Sequence, residues 1–282
     1  MANEVDTGVT TALYANMVQA ALFTLQESTV IRPLVRSYDM TGTPGLVAQV
    51  PIYPTLTADS PSDGADLSNK AFEVTTSKTI TAAERGTLVT LSDLAQETAS
   101  EDVAAAIGRQ IGQAMALKVD QDLSALFSGF SNTVGSGAAE ITVEDLFKAA
   151  ATLRANNAPG PYFCVLHPYQ AFQIKKQLTG AGNTNMVNPS IVGNEALRSN
   201  LVGTIAGLTV FESTTVTGDS SGAFVGAAFS SDAMAIMMKR NIRLEEQRDA
   251  SLRATEIVGS MAYGVSEIFD EYGVGIIGDA AL

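Results

Sequence analysis

Residues 46–53, LVAQVPIY, and residues 72–81, FEVTTSKTIT, enclose the polar segment PTLTADSPSDGADLSN at 54–69, and this stretch decides the fold. The first flank is rich in Val and contains Pro51, which is typical of an edge strand or of a strand that leaves a sheet. The second flank alternates, as a half-buried strand does. The stretch therefore predicts a long β-hairpin with an exposed polar tip. A two-stranded hairpin is marginal in water, so we expect the rest of the chain or a neighbouring subunit to support it.

Amphipathic helices are predicted on both sides of this hairpin. Upstream, apolar residues recur at helical spacing between 11 and 31, and Pro33 ends the pattern. Downstream, residues 92–128 form the longest helical pattern, with Ser92 and Ser100 as alternative N-caps. Its apolar residues step by four along one face: Val103, Ile107, Ile111, Met115, Val119, Leu123 and Phe127.

The second half of the chain mixes helices with strands. Thr142 and Asp145 form a near-capping box at the start of a helix, Tyr162–Leu166 is predicted as a short buried strand, and Pro168 begins another helix. Residues 179–200 are rich in Gly and Asn, which indicates a long loop. Strands dominate the rest and are predicted at 205–211, 223–229, 234–238, 241–247, 252–263, 265–269 and 273–277.

Composition and charge exclude several classes of protein. The 282 residues are 46% hydrophobic and 17% charged, which excludes wholesale disorder. Lys and Arg number 17 against 30 Asp and Glu, and the net charge of −13 argues against attraction to DNA phosphates or anionic lipid as the main activity. Neither of the longest uncharged stretches is apolar enough to span a membrane. The N-terminal MANEVDTG is acidic and lacks an apolar segment, which indicates a chain without a secretory signal that stays in a cytoplasm.

Candidate catalytic and ligand-binding residues are few. The one Cys, Cys164, and the one His, His167, lie close in sequence, but the Cys is expected inside a buried strand and the His at a helix start, where both are structural. Residues 273–278, GVGIIG, formally match a dinucleotide-binding pattern, yet no helix can follow them as this motif requires. The intervals among the aspartates of the hairpin tip do not fit a calcium loop. The sequence therefore indicates no catalytic residue, cofactor or metal site.

The segment 239–253 holds the only local basic cluster of the sequence. Acidic residues are interleaved with the basic ones, and no stacking aromatic residue lies among them. The pattern therefore favours salt contacts between subunits over a nucleic-acid site. The cluster consists of Lys239, Arg240, Arg243, Arg248 and Arg253.

The order of elements resembles the major capsid protein of tailed bacteriophages, which has the Hong Kong 97-type coat fold. The shared order is an N-terminal arm with a helix, a long hairpin, a long helix, an α/β region and C-terminal strands. Local phrases resemble the family too: HPYQAFQIKKQL at 167–178, IAGLTVFEST at 205–214, GAFVGAAF at 222–229 and MAIMMKRNIRLEEQRD at 234–249.

The resemblance implies an α+β fold in four parts. These are an N-arm at 1–45, an E-loop hairpin at 46–84, a P-domain with the long spine helix at 85–140 and 234–266, and an A-domain at 141–233 and 267–282. We expect the N-arm to lie away from the body of its own subunit.

The resemblance also implies a structural protein without catalytic activity. Such a chain self-assembles, as pentamers and hexamers, into an icosahedral shell that encloses the double-stranded DNA genome of a tailed phage without sequence-specific binding. Implied partners are a portal and a scaffolding protein. Because no long charged helical segment precedes the N-arm, the scaffold is expected to be a separate protein, with assembly without a scaffold as the alternative. The expected location is the capsid of the virion, assembled in the host cytoplasm, with no membrane and no cofactor.

Two other functions stay open at this point. An encapsulin-type compartment, whose shell encloses a protein cargo, has the same fold and a similar chain length. A soluble α/β enzyme is the alternative from a different class, although the single His and the lack of a supported motif argue against it.

Contacts between subunits are expected where the resemblance places the E-loop across the P-domain of a neighbour. The acidic tip, with Asp59, Asp63 and Asp66, is predicted to dock on the basic cluster of that neighbour. Lys70 and Lys78 lie where some members form a covalent cross-link, but a Lys in a polar hairpin is expected to be an ordinary surface residue.

Overall fold

The computed structural model describes residues 29–53, 76–94, 103–178, 203–218 and 222–279, together with Ala21, Thr24 and, in the hairpin, residues 56–60, 62–64, 66–67, 69–70 and 72. Most of the helix predicted at 11–31 and the whole of the loop predicted at 179–200 lie outside these residues. Within the described part of the chain, no helix is long and apolar enough to cross a membrane.

Within the described residues, the fold contains two sheets, a separate hairpin and three α-helices of at least ten residues. The helices are α1 (Val103–Ser124), α2 (Val143–Ala155) and α3 (Pro168–Leu178). One sheet has the order β1-β10-β11-β4, with β1 (Arg36–Asp39), β4 (Ala83–Ser92), β10 (Met234–Asp249) and β11 (Ala254–Glu267). The other has the order β5-β12-β9-β6-β8-β7, with β5 (Thr133–Ser136), β6 (Tyr162–Leu166), β7 (Thr204–Ile205), β8 (Leu208–Glu212), β9 (Ala223–Ser230) and β12 (Gly273–Asp279). The hairpin pairs β2 (Val47–Ile52) with β3 (Thr76–Thr81).

The long helix α1 packs on the four-stranded sheet. Its apolar face is buried as predicted, and Ile111, Met115, Val119 and Leu123 join the main core. Ser92, one of the two predicted N-caps, ends strand β4, where it pairs with Ala254 of β11, and Asp93 and Leu94 directly after it are helical, as the prediction from residue 92 onward requires. Strand β4 itself was not predicted, although its exposure alternates strictly with a two-residue period.

The six-stranded sheet is covered by α2 and α3, and here the local predictions hold. Thr142 caps α2: its Oγ1 accepts from the Asp145 N–H at 3.2 Å, and the Asp145 carboxylate accepts from the Thr142 N–H at 3.0 Å. Strand β6 spans Tyr162–Leu166, and Pro168 begins α3. Strand β5 also lies in this sheet, although it falls inside the segment 85–140 that was expected to form the P-domain.

Several β-segments are joined or divided differently from the prediction. The runs at 234–238 and 241–247 are one strand, β10, which continues through register shifts, and the runs at 252–263 and 265–269 form the single strand β11. The predicted strand 205–211 is instead the hairpin of β7 and β8. Its turn contains Gly207 at φ +85, a backbone conformation that Gly adopts readily.

The N-terminal segment packs on its own subunit. Ile31, Leu34 and Val35 are buried in the main core, and β1 pairs in parallel with β10. The expectation that this part lies away from the body is therefore wrong for residues 29–39, because its apolar residues find their burial within the chain. Residues 1–20 lie outside the described residues.

Candidate intersubunit contact site

The hairpin tip is acidic and closed by its own lysine. Asp59, Asp63 and Asp66 are all exposed. The Lys70 ammonium binds Asp59 Oδ1 at 2.7 Å, Thr57 Oγ1 at 2.8 Å and the Thr57 carbonyl. All three donors of this ammonium are therefore in use, and Asp59 is neutralised inside the tip. Lys70 is thus a surface lysine that is paired within the tip, whereas Lys78 forms an ion pair with Glu267 at 3.4 Å on the body.

The far part of the hairpin also exposes large apolar side chains, which the polar composition of the tip concealed. The rings of Tyr53 and Phe72 stack at 5.1 Å with an angle of 2° between their planes, and both rings are more than half exposed. Stacked rings across the two arms hold the tip closed. We call the exposed side chains Tyr53, Leu56, Leu67 and Phe72 the apolar tip residues.

The predicted basic cluster is not one patch. At a rise of about 3.3 Å per residue, β10 extends about 33 Å from Lys239 to Asp249. Lys239 and Arg240 lie near the middle of this strand, beside the base of the hairpin, and Arg248 lies at its C-terminal end. Arg253 is in the turn between β10 and β11, beyond that end. Residues that are close in sequence are thus far apart along the extended strand.

Three of the five basic side chains form ion pairs within their own chain. Arg240 pairs with Glu84, and Arg243 pairs with Glu245 at 2.5 Å. Both carboxylate oxygens of Asp93 accept hydrogen bonds from Arg248, at 2.5 and 2.6 Å, and this arginine lowers the pKa of Asp93. No sequence pattern connects Arg240 with Glu84 or Arg248 with Asp93, because strand pairing brings them together across more than 150 residues.

The remaining two basic side chains differ in their surroundings. The Lys239 ammonium binds the backbone carbonyls of Met40 and Thr43, which ties the segment after β1 to β10. Arg253 is exposed at φ +49, and among the described residues it has no ion-pair partner.

The end of the sheet that carries Arg253 is also apolar. Leu94 lies two residues after the end of β4, and Leu252 lies in the β10–β11 turn; both are more than half exposed. The Asp93 N–H donates to the Arg253 carbonyl at 3.1 Å, so the two segments meet here. We call Asp93, Leu94, Arg248, Leu252 and Arg253 the outer patch.

The lone Cys and His occupy structural positions. Cys164 is fully buried in β6, and burial raises the pKa of its thiol. His167 precedes α3, where its Nδ1 accepts from the Tyr169 N–H at 3.3 Å and its ring stacks on Phe224 at 4.0 Å. Burial lowers the pKa of His167. The motif at 273–278 lies inside strand β12, as expected.

The chain thus forms a long helix under a four-stranded sheet, a second α/β unit and a projecting hairpin. Its sequence matches a protein-family model. The model for phage capsid proteins matches residues 74–276. The chain belongs to the phage capsid protein family. It is a major capsid protein, a subunit from which a phage shell is built, and the predicted identification is confirmed.

Solved structures show the same fold as this capsid protein. A chain from the capsid structure of Cyanophage P-SCSP1u is 19% identical in sequence, with a TM-score of 0.68 over 87% of this chain and 86% of that chain. A chain of Mycobacterium phage Che8 is 19% identical, with a TM-score of 0.70 over 88% and 90% of the two chains. The virus-like particle from Pyrococcus furiosus is 9% identical, with a TM-score of 0.63 over 93% and 98%. The α+β fold of the Hong Kong 97 type is thereby confirmed. The sequence matches none of the curated proteins at a significant level.

Proposed function

We propose that this capsid protein builds its shell by docking the hairpin tip of one subunit on the outer patch of the next. The observation that carries the proposal is a matched pair of surfaces on one chain. The tip combines acidic side chains with the apolar tip residues, and the outer patch combines basic side chains with exposed leucines.

Charge selects the C-terminal, outer end of β10 over the middle of the strand, where Lys239 and Arg240 lie. Lys70 neutralises Asp59, which leaves Asp63 and Asp66 as the carboxylates available to a neighbour. Arg253 is the available basic side chain of the outer patch, and Arg248 beside it is half exposed although it is paired with Asp93. A single exposed ion pair contributes only about 0–1 kcal/mol, so these charges orient the contact more than they stabilise it.

Apolar contact supplies most of the stabilisation. Full burial of one large apolar side chain is worth about 1.5–3 kcal/mol, and both surfaces expose more than one such residue. The contact is repeated between the subunits of every capsomer, so a modest gain at each site accumulates over the shell.

Charge reversal at the tip tests this docking. Replacing Asp63→Lys and Asp66→Lys together should strongly reduce particle yield, measured by sedimentation and electron microscopy. Adding Arg253→Glu should restore part of that yield, because opposite charges then face each other again. Lys239→Glu is the matched control near the middle of β10 and should restore nothing. Normal yield of the tip variant, or equal rescue by both second changes, would contradict docking on the outer patch.

The finer features of the shell belong to the same proposal. The protein forms pentamers and hexamers of an icosahedral shell, acts without catalysis, and encloses double-stranded DNA that it does not read. A portal and a separate scaffolding protein take part in assembly in the host cytoplasm. The net charge of −13 supports a shell that contains DNA without binding it tightly.

Imaging of purified particles tests this part. Cryo-electron microscopy should show DNA-filled heads, and the nucleic acid extracted after nuclease treatment should be double-stranded DNA of uniform length. Particles that contain only a protein cargo would instead indicate the encapsulin-type compartment.

The four-part organisation is proposed with one adjusted boundary. The hairpin at 46–84 acts as the E-loop, the four-stranded sheet with α1 as the P-domain, and the six-stranded sheet with α2 and α3 as the A-domain. Membership of β5 in the six-stranded sheet supports a boundary near residue 132 instead of 140.

A further inference from the structure

The second arm of the hairpin joins the body of the subunit through a single residue. Strand β4 pairs with β11 as far as Ala83, opposite Tyr263, and β3 ends at Thr81. Only Ala82 separates the two strands, and its N–H donates to the Leu46 carbonyl at 2.8 Å, which closes the base of the hairpin. The hairpin is thus a continuation of the edge strand of the four-stranded sheet.

A glycine permits the chain to cross β11 at this place. A Cβ atom on Gly264 would lie 2.4 Å from the Thr81 carbonyl oxygen and 3.0 Å from Ile80 Cγ2. The first distance is too short for any side chain, and the contacted atom belongs to the backbone. Close approach, and not an unusual backbone angle, therefore requires glycine here.

A small core anchors the hairpin beside this crossing. Ile80 is fully buried, and with Ala82 it packs against Ala235, Met237 and Ile268 of the body. This core is separate from the main core under α1. A second, polar link lies next to it, because the Lys78 ammonium pairs with the Glu267 carboxylate at 3.4 Å.

The contact between the base of the hairpin and the body is narrow. A cavity of about 410 Å³ lies on one side, between β2 and the segment at 36–40, and a cavity of about 460 Å³ lies on the other, beside Lys239 and Arg240. The direction of the hairpin therefore depends on a small set of contacts: those of Ile80, Gly264 and Lys78, together with Ala48 and Val50 of β2, which pack against the same small core.

We propose that these contacts fix the direction of the hairpin within the free subunit, before any neighbour is bound. The inference rests on the proposed function only in assuming that the tip is the part presented to a neighbour. A hairpin held in its final direction loses little conformational freedom on assembly, which favours association. Ile80 and Gly264 are accordingly positioning residues for the docking contact.

Distance measurement between two spin labels tests the proposal on unassembled protein. Labels are attached to cysteines introduced as Ser62→Cys at the tip and Gln121→Cys on the exposed side of α1. Cys164 is fully buried and stays unlabelled, which mass spectrometry verifies. The otherwise unchanged protein should show one narrow distance distribution, measured at concentrations where light scattering detects no particles.

Three substitutions are then compared in the labelled protein. Ile80→Ala and Gly264→Ala should each shift or broaden the distribution. Gly275→Ala is the matched control, because an added Cβ in β12 meets its neighbours only at an ordinary 3.4 Å. If Gly264→Ala does not fold, as circular dichroism would show, Ile80→Ala decides. A broad distribution in the unsubstituted protein, or an unchanged one in Ile80→Ala, would overturn the proposal.

The same labels separate this inference from the docking contact. The Asp63→Lys, Asp66→Lys variant should keep the narrow distribution while it loses assembly. If that variant assembles normally, docking on the outer patch fails while the fixed direction of the hairpin stands.

Discussion

The six-stranded sheet and the hairpin differ in how far their polar and apolar side chains are paired or buried within the subunit. Along α3, Gln170, Gln173 and Gln177 each donate and accept one hydrogen bond, and their partners include the Ile141 N–H and the Asp279 carbonyl. Among the described residues, the large apolar side chains of this sheet's strands are buried or half-buried. The two-stranded hairpin instead leaves Tyr53 and Phe72 more than half exposed.

This difference shows where the fold is complete within one chain and where it is not. The strands of the sheet bury or half-bury their large apolar side chains and the glutamines of α3 are paired, so the stability of this sheet is a property of the subunit, although Phe147 of α2 and Phe172 of α3 are more than half exposed. The hairpin ends in apolar side chains and carboxylates that the subunit leaves uncovered. Substitutions in the two regions should therefore affect different measurements.

The largest expected effect on subunit stability lies in the sheet. Phe229 of β9 is fully buried, with ring centres of Phe127 at 5.8 Å and Phe163 at 6.4 Å. Phe229→Ala should lower the free energy of unfolding by about 3–5 kcal/mol, because it removes buried surface and leaves a cavity. Denaturant unfolding of the unassembled subunit measures this, with Phe229→Leu as a control of smaller effect. If Phe229→Ala lost less unfolding free energy than Phe229→Leu, the contrast between a stable sheet and an incomplete hairpin would be contradicted.

A smaller, pH-dependent effect tests whether the N-terminal segment belongs to the stable body. Asp120 of α1 is buried and accepts hydrogen bonds from the backbone N–H groups of Val30, Ile31 and Arg32. Burial raises its pKa above the usual 3.8, in spite of these bonds. Its contribution to stability is therefore fully present below 3.8 and is lost as the pH rises through the folded-state pKa. Relative to Asp120→Asn, the wild type should gain stability as the pH falls.

Asp122, two residues further on, is the matched control with the opposite sign. Burial acts to raise its pKa, but hydrogen bonds from Lys118 and Tyr263 outweigh burial and the pKa is lowered. Relative to Asp122→Asn, the wild type should lose stability as the pH falls below 3.8 through the folded-state pKa. Denaturant unfolding of both variants across this range measures the two slopes. Slopes of the same sign would show that the N-terminal backbone does not hold Asp120 buried in solution.

The smallest effect on subunit stability is expected at the hairpin tip. Tyr53→Ala should change the free energy of unfolding by no more than about 0.5 kcal/mol, because the side chain is exposed. The same change should nevertheless reduce particle yield, since the ring is proposed to contact a neighbour. Unfolding and sedimentation experiments on one preparation compare the two results. A large loss of stability with normal assembly would reverse the roles of hairpin and sheet.

Local signals in the sequence were sufficient for much of the fold. The capping box at Thr142, the proline at 168 and the alternation around residue 80 each act within a few residues, so the elements they begin or form could be predicted. Strand β4 was missed because the strand that pairs with it, β11, lies far away in the sequence and leaves no local signal. The N-terminal segment was misplaced because no short-range pattern indicates that Asp120 binds its backbone.

The contact site divides in the same way. The acidic tip and the basic residues at 239–253 are visible in the sequence, because charge is a property of each residue. Which of these charges remain available depends on partners far away in the chain, such as Glu84 for Arg240 and Asp93 for Arg248. The apolar tip residues were hidden by the polar residues between them, since exposure is not a local property.

The amino-acid sequence by itself determined the hairpin, the spine helix and the excess of acidic charge, because periodicity, turn residues and charge act over a few positions. Only the tertiary structure decided that the basic residues are spread over about 33 Å and that Arg253 lies beside exposed leucines at the outer end. It also decided that Gly264 admits the crossing strand. These features depend on strand pairing between distant segments, and long-range pairing is set by the packing of the whole chain, which no short stretch of sequence contains.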